Sequence, residues 1–262
     1  MLKLISPAKI NLYLQIVGKR PDGYHELSSL FQTIDLSDVL TFEKNDKDKF
    51  TCNDAALPND KKNLVLKALD LFRSKTKFNF CLKVHLEKHI PIEAGLGGGS
   101  SNAATTLWAC NQLTGNLVSV EKLQEWGSEI GSDIPFFFST GTALCNGRGE
   151  IVQNKDPAPS QTLYIVKPQG GLSTPAVYGR LRIKESRAEK NGYFNDLEQP
   201  AFELRPDLRD LKQKLQSGGF DTVLMSGSGS SFFCLGEGEI PHDPSLHIYK
   251  SAFLNRTDSN WY

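Results

Sequence analysis

The chain has 262 residues, 39% of them hydrophobic and 23% charged, with 30 basic and 30 acidic side chains and a formal net charge of zero. That is enough apolar material for a sizeable core in one large or two modest domains. The even charge balance argues against nucleic acid or an anionic membrane as a bulk electrostatic partner, and leaves room for a small anion held locally.

The N-terminal "MLKLISPAKINLYLQIVGKR" has no apolar run followed by a small-residue cleavage site and no transit pattern. No apolar run approaches the roughly 18 residues that span a bilayer. The five cysteines include no C-x-x-C pair and read as reduced, buried thiols. Together these predict a cytoplasmic location.

"KINLYLQIVG" alternates, with Ile10, Leu12, Leu14 and Ile16 on one face and Lys9, Asn11, Tyr13 and Gln15 on the other. That period predicts a half-buried strand with a solvated polar face. "RPDGYHEL" marks a turn, and "LSSLFQTIDLSDVLTFEK" predicts one or two strands. The period then changes. Val65, Ala68, Leu69 and Phe72 share one helical face, with Asn63 as N-cap. "FNFCLKVHLEK" returns to strand alternation. "NAATTLWACNQL" predicts a helix capped by Ser100 or Ser101, and "SVEKLQEWGSEIG" a second one ending at Gly131. "SDIPFFFSTGTALCNGRGE" reads as strand, and the proline-rich 154–161 as a domain boundary. Beyond it lie a strand in "TLYIVKP", a charged helical stretch near "RLRIKESRAEK", a helix in "PDLRDLKQKLQSGG" and strand in "DTVLMSGSGSSFFCLG". Mixed strands and helices without a uniform βαβ repeat predict an α+β fold.

"PIEAGLGGGSSNAATTLW" packs four glycines into five residues between a strand and a helix. A flexible linker separates units and does not fit that context. A dinucleotide fingerprint would need glycine where Ser100 stands, and a P-loop would need a lysine after the glycines, which is absent. What those motifs share remains: side-chain-free amides and a helix N-terminus converging on phosphate oxygens. A tight turn that lets helix and strand pack closely is the structural alternative.

A phosphate cradle without its own lysine must find a cation and a base elsewhere. Lys9 in "SPAKIN" is the notable lysine, although an exposed lysine on a half-solvated face is the simpler reading. Asp133 in "IGSDIPFF" is either a cap for a short turn or a general base for a hydroxyl nucleophile. "SGSGSSFF" is a second glycine–serine turn. "HLEKH" has metal-like residues, but on a strand its two imidazoles lie roughly 13 Å apart, so no metal site is expected.

"PAKINLYL", "PIEAGLGGGSSNAA" and "SGSGSSFF" resemble the three motifs of the GHMP kinases, the galactokinase–homoserine–mevalonate–phosphomevalonate group. "RPDGYHEL" and "IGSDIPFFFSTGTALCNGRGE" narrow the likeness to the branch whose acceptor is a cytidine diphosphate-linked polyol of isoprenoid precursor synthesis. The resemblance covers most of residues 1–150 and returns at "TPAVYGRL" and "SGSGSS". It implies a two-domain GHMP kinase fold, with a ribosomal S5-like N-terminal domain over 1–153 and a ferredoxin-like C-terminal domain over 154–262. It implies phosphorylation of the acceptor's 2-hydroxyl by ATP with Mg²⁺, with no tightly bound cofactor; no clear Mg²⁺-binding carboxylate stands beside the loop, so MgATP would be held largely through its phosphates. The expected protein is a monomer or weak homodimer with no nucleic-acid or membrane partner. The alternative within the family is a kinase of the homoserine or mevalonate type.

Residue by residue, the resemblance makes Lys9 and Asp133 the catalytic pair. Asp133 would accept or orient the hydroxyl proton, while Lys9 would hold that carboxylate charged and stabilise charge on the transferred group. Gly95, Leu96, Gly97, Gly98, Gly99, Ser100 and Ser101 would cradle the ATP phosphates, led in by Pro91, Ile92, Glu93 and Ala94. Asn63 and Lys88 would line the adenine pocket. Asn11, Tyr24 and His25 would serve the cytidine side, where the Tyr178 ring would stack on the base. Glu93 departs from the family's small residue before the glycines. Residues 181–200 and the tail after about 236 also look diverged.

Overall fold

The computed structural model describes residues 1–182, 192–257 and 260–262. Two sheets organise it. The first is built on two long antiparallel strands, β1 (Leu2–Lys19) and β2 (His25–Asn45), joined by the predicted turn. β2 is long enough to take two partners in succession on its far edge. Its later half pairs with β4 (Cys81–Glu87), which in turn pairs with β3 (Lys49–Cys52). Its earlier half pairs with β5 (Thr142–Gly147), which pairs with β6 (Ile151–Asn154).

Three helices cover this sheet. α1 (Leu64–Thr76) buries the predicted Val65, Ala68, Leu69 and Phe72, and the Asn63 side chain caps it by accepting from Val65 N at 2.9 Å. α2 (Gly98–Leu113) is buried on every side from Ser101 to Asn111, because it is sandwiched between the sheet, α1 and α3 (Val120–Ile130). α2 begins earlier than predicted. Its cap is Gly97, whose left-handed φ of +68° turns the chain into the helix, so neither Ser100 nor Ser101 is the cap. Pro135–Phe138, expected as strand, is a 3-10 turn: the proline sits at its start and three phenylalanines bury together.

The second sheet has the order β11-β7-β10-β9, from β7 (Thr162–Lys167), β9 (Thr222–Met225), β10 (Phe232–Leu235) and β11 (His247–Ala252). Numbered within the sheet this is the 4-1-3-2 arrangement of a ferredoxin-like unit. The run "DTVLMSGSGSSFFCLG" is therefore two strands around a turn. The first crossover carries α4 (Thr174–Arg180), β8 (Phe194–Asn195), α5 (Glu198–Leu204) and α6 (Pro206–Ser217); the second, residues 236–246, has no helix. The charged stretch expected as helix falls mostly on 183–191, outside the described residues.

The proline-rich 155–161 connects β6 of one sheet to β7 of the other, yet the two halves are braced together. β8 leaves its neighbours to pair in parallel with β1 at Tyr13 and Leu14. After β11 the chain returns to the first sheet. There Leu254 N donates to Thr33 O, and Trp261 packs on Trp108 with ring centroids 5.1 Å apart. Ala8, Ile10 and Leu12 of β1 share an apolar cluster with Leu163, Ile165, Leu224 and Phe233 of the second sheet. β1 is consequently covered on both faces, not half-solvated as its alternation suggested. Asn63 also donates from its amide to Pro58 O at 2.7 Å. Asn63→Ala removes that bond and the cap, and is expected to lower stability by about 1–2 kcal/mol in urea unfolding.

Candidate active site

A cleft of 1190 Å³ opens between the sheets. That exceeds the few hundred to about 1,000 Å³ usual for one small ligand and suits two. The glycine stretch forms one wall. Pro91, Ile92, Glu93, Ala94, Gly95, Leu96, Gly97, Gly98, Gly99 and Ser100 all border the cleft. Ser101 does not: it is fully buried and accepts from Ser6 Oγ at 2.8 Å.

The loop's path needs glycine for measurable reasons. A β-carbon on Gly95 would lie 2.1 Å from Ser226 O, and one on Gly97 would lie 3.0 Å from Lys9 Cγ. Both glycines also have positive φ, +75° and +68°. The close approaches are bonded ones. Lys9 N donates to Leu96 O at 2.9 Å, Ser226 Oγ to Gly95 O at 2.9 Å, and Ser231 N to Ala94 O at 3.2 Å. The loop is thus clipped between β1 and the β9–β10 turn, and it presents the first N–H groups of α2 to the cleft.

Lys9 itself is buried, 3% exposed. Its ammonium lies 3.3 Å from Asp133 Oδ2, donates to Asn11 Oδ1 at 2.9 Å, and sits 4.5 Å from the centroid of the Phe31 ring. Asp133 is held at the end of α3 by the turn before Pro135, and its side chain is one-third exposed to the cleft. Asn11, expected on the cytidine side, borders the cleft beside Lys9. Its oxygen takes the Lys9 bond and its amide donates to Ser29 Oγ at 2.9 Å, so it orients the lysine.

Beyond the pair, one end of the cleft gathers His25, Tyr178, Tyr24 and Arg148. The His25 and Tyr178 rings lie 5.1 Å apart. Burial, and secondarily the charge of Lys19, lower the His25 pKa, so its ring is neutral at pH 7 and can both donate and accept. Burial, and then Asp133, raise the Tyr178 phenol. Arg148, in the β5–β6 turn, places its guanidinium 5.1 Å from the centroid of the exposed Tyr24 ring. Sequence reading did not single it out; the available signal was a cation within "CNGRGE", close in sequence after Asp133.

At the other end, Asn63 and Lys88 border the cleft with their side chains already engaged. Asn63 caps α1. Lys88 Nζ donates to Asp38 Oδ2 and to Ile90 O, both at 2.6 Å. Asp38, fully buried, also accepts from His89 N and Ile90 N at 2.8 Å and from Asn102 Nδ2 at 2.9 Å. One carboxylate thus ties β2 to the lead-in of the glycine loop and to α2. Burial lowers the Lys88 pKa, and Asp38 opposes that shift.

The GHMP kinases N terminal domain matches residues 63–141 of this chain. A 4-diphosphocytidyl-2-C-methyl-D-erythritol kinase of Protochlamydia amoebophila is 57% identical over 269 residues, spanning 100% of this chain and 93% of that protein. The chain belongs to the 4-diphosphocytidyl-2-C-methyl-D-erythritol kinase family. The chloroplastic member from Oryza sativa subsp. japonica is 44% identical, across 100% of this chain and 73% of its own length. The crystal structure of a 4-(cytidine 5'-diphospho)-2C-methyl-D-erythritol kinase aligns with a TM-score of 0.82 and 31% identity, covering 97% of this chain and 100% of that one. A homoserine kinase from Cytophaga hutchinsonii, 17% identical with a TM-score of 0.73, shares the fold, covering 97% of this chain and 95% of its own.

As a member of this family the chain is an ATP-dependent small-molecule kinase with the two-part GHMP architecture. No helix among the described residues is long and apolar enough to cross a membrane. The Asp38 hub under the glycine loop was not visible in the sequence, where Asp38 is one strand carboxylate among others. Asp38→Ala strands the buried Lys88 ammonium, and is expected to cost about 3–5 kcal/mol in chemical denaturation, more than a surface Asp→Ala change.

Proposed function

We infer that this chain transfers the γ-phosphoryl group of ATP to the 2-hydroxyl of 4-diphosphocytidyl-2-C-methyl-D-erythritol, in the non-mevalonate route to isoprenoid precursors. The observation that carries the mechanism is the 3.3 Å Lys9–Asp133 pair, set where the glycine loop meets the His25–Tyr178 end of one cleft. ATP would lie along the loop, its phosphates on the backbone N–H groups of 97–100 and its base toward Asn63, Ile92 and Lys88. With the Asn63 amide and the Lys88 ammonium already bonded, adenine contacts there would come from backbone and apolar surface. The acceptor's cytosine would stack on Tyr178 and meet the neutral His25 ring, with Tyr24 at the rim. Arg148 offers the acceptor's diphosphate a guanidinium on that side.

In the transfer, the 2-hydroxyl oxygen bonds to the γ-phosphorus as the bond from that phosphorus to the β,γ-bridging oxygen breaks. The hydroxyl proton passes to Asp133, and ADP leaves. Lys9, fixed by Asn11, stabilises the negative charge on the phosphoryl oxygens. Mg²⁺ is proposed to come with the nucleotide, where it would neutralise phosphate charge. We assign residues 1–153 and 154–262 to the two domains flanking this cleft, and the protein to the cytoplasm as a monomer or weak homodimer, without a nucleic-acid or membrane partner. The five free thiols are consistent with that compartment.

Turnover assays with ATP and a panel of acceptors test this reading. The cytidine diphosphate-linked polyol is expected to be phosphorylated, and homoserine and mevalonate are not. Asp133→Asn should lower kcat by about 10²–10⁴-fold, and turnover that survives the change rules out the base. His25→Ala and Arg148→Ala should each raise the acceptor KM by about tenfold, with a smaller effect on the KM for ATP.

A further inference from the structure

Glu93 is the residue of the glycine stretch that the phosphoryl-transfer chemistry leaves unused. It is not glycine, yet its φ is +51°. A side chain in that left-handed region costs about 1 kcal/mol or more, so something must hold it there. A β-carbon built on Gly171 would lie 2.4 Å from Glu93 Oε2 and 2.5 Å from Glu93 Cβ. The Glu93 side chain therefore occupies the space that Gly171 leaves.

Gly171 lies in the 168–173 connection between β7 and α4. That connection is fixed from its own side of the cleft. Lys167 Nζ donates to Pro168 O at 2.8 Å and to Gly170 O at 2.5 Å, Ser230 Oγ donates to Gly170 O at 3.0 Å, and Arg205 donates to Gln169 O at 3.1 Å. From the glycine loop, Glu93 reaches this connection at Gly171. Charge favours the same arrangement: burial and Arg205 lower the pKa of the buried Lys167 ammonium, and the Glu93 carboxylate partly opposes that shift. The connection leads directly into α4, which carries Tyr178.

We propose that Glu93 is a positioning residue whose side chain, wedged against Gly171, sets how closely the 168–173 connection and the Tyr178 helix approach the phosphate loop. The wedge joins the ATP wall of the cleft to the acceptor wall through one packing contact. Its shape carries the effect, because no ion pair within 4.0 Å links Glu93 to Lys167 among the described residues.

The test compares the intact wild-type protein with Glu93→Ala, Glu93→Gln and Gly171→Ala. Glu93→Ala empties the wedge, and Gly171→Ala forces it apart. Backbone amide exchange across 168–180 is expected to speed up about tenfold in both, because the connection loses a support without global unfolding. The acceptor KM is expected to rise about fivefold in both, through misplacement of Tyr178. Glu93→Gln keeps the shape and should restore both readouts to within about twofold of wild type. Wild-type exchange in Glu93→Ala overturns the proposal. So does a rise confined to the KM for ATP, or a failure of Gln to rescue. The kinetic readout rests on the acceptor proposed above. The exchange readout does not, so an inactive wild type would remove that function while exchange still decides the wedge.

Discussion

An ammonium taken out of water needs more than one carboxylate to make up for its lost hydration, and the centre of this molecule is organised around that requirement. Lys9 is buried between two sheets and finds Asp133, the Asn11 carbonyl and the Phe31 ring. Desolvation of such a pair is offset only when the geometry is good and the remaining donors are satisfied. Asn11 is in turn held by Ser29, so the lysine's position is set two bonds deep. Asp133 keeps part of its surface open to the cleft, as the proposed role of accepting a hydroxyl proton requires.

β1 makes this centre possible because it belongs to every part of the fold at once. It pairs with β2 along nearly its whole length, takes β8 on its other edge, packs on the second sheet and bonds to the glycine loop through the Lys9 amide. Its bulges next to Lys9 and Asn11 interrupt the ladder where these side chains must be aimed. The glycine loop is then clipped to the β9–β10 turn of the other half. The glycine loop, Lys9 and, through its pairing with Lys19, His25 are therefore all tied to one strand, an arrangement that suits the proposed transfer, in which positioning dominates.

The loop itself shows two ways of fixing backbone. At Gly95 the Ser226 carbonyl comes so close that no side chain fits, and at Gly97 a positive φ and the crowding of Lys9 and Phe137 favour bare backbone. At Glu93 the same left-handed conformation is adopted by a residue whose side chain fills a gap opposite another glycine. The first device turns backbone amides toward the cleft. The second joins that loop to the far wall.

Local features were legible in the sequence because local physics decides them. The α1 cap at Asn63 and its four-residue apolar face follow from helix periodicity and an orphan amide. The glycine stretch read as a phosphate loop lacking its own lysine, and with the family resemblance that pointed to Lys9 and Asp133, far apart along the chain. What period and motif did not determine was everything set by a second layer of structure. Lys9 and Asn11 alternate like solvent-facing residues, and only the covering sheet and loop make them buried. Asn11 bonds the lysine at the cleft wall, Ser101 lies behind the loop, and Arg148 and Asp38 take their places because distant strands bring them there. Period and capping act over a few residues and can be read along a chain. Burial and charge pairing arise where separate segments meet, and only the tertiary structure decides which segments those are.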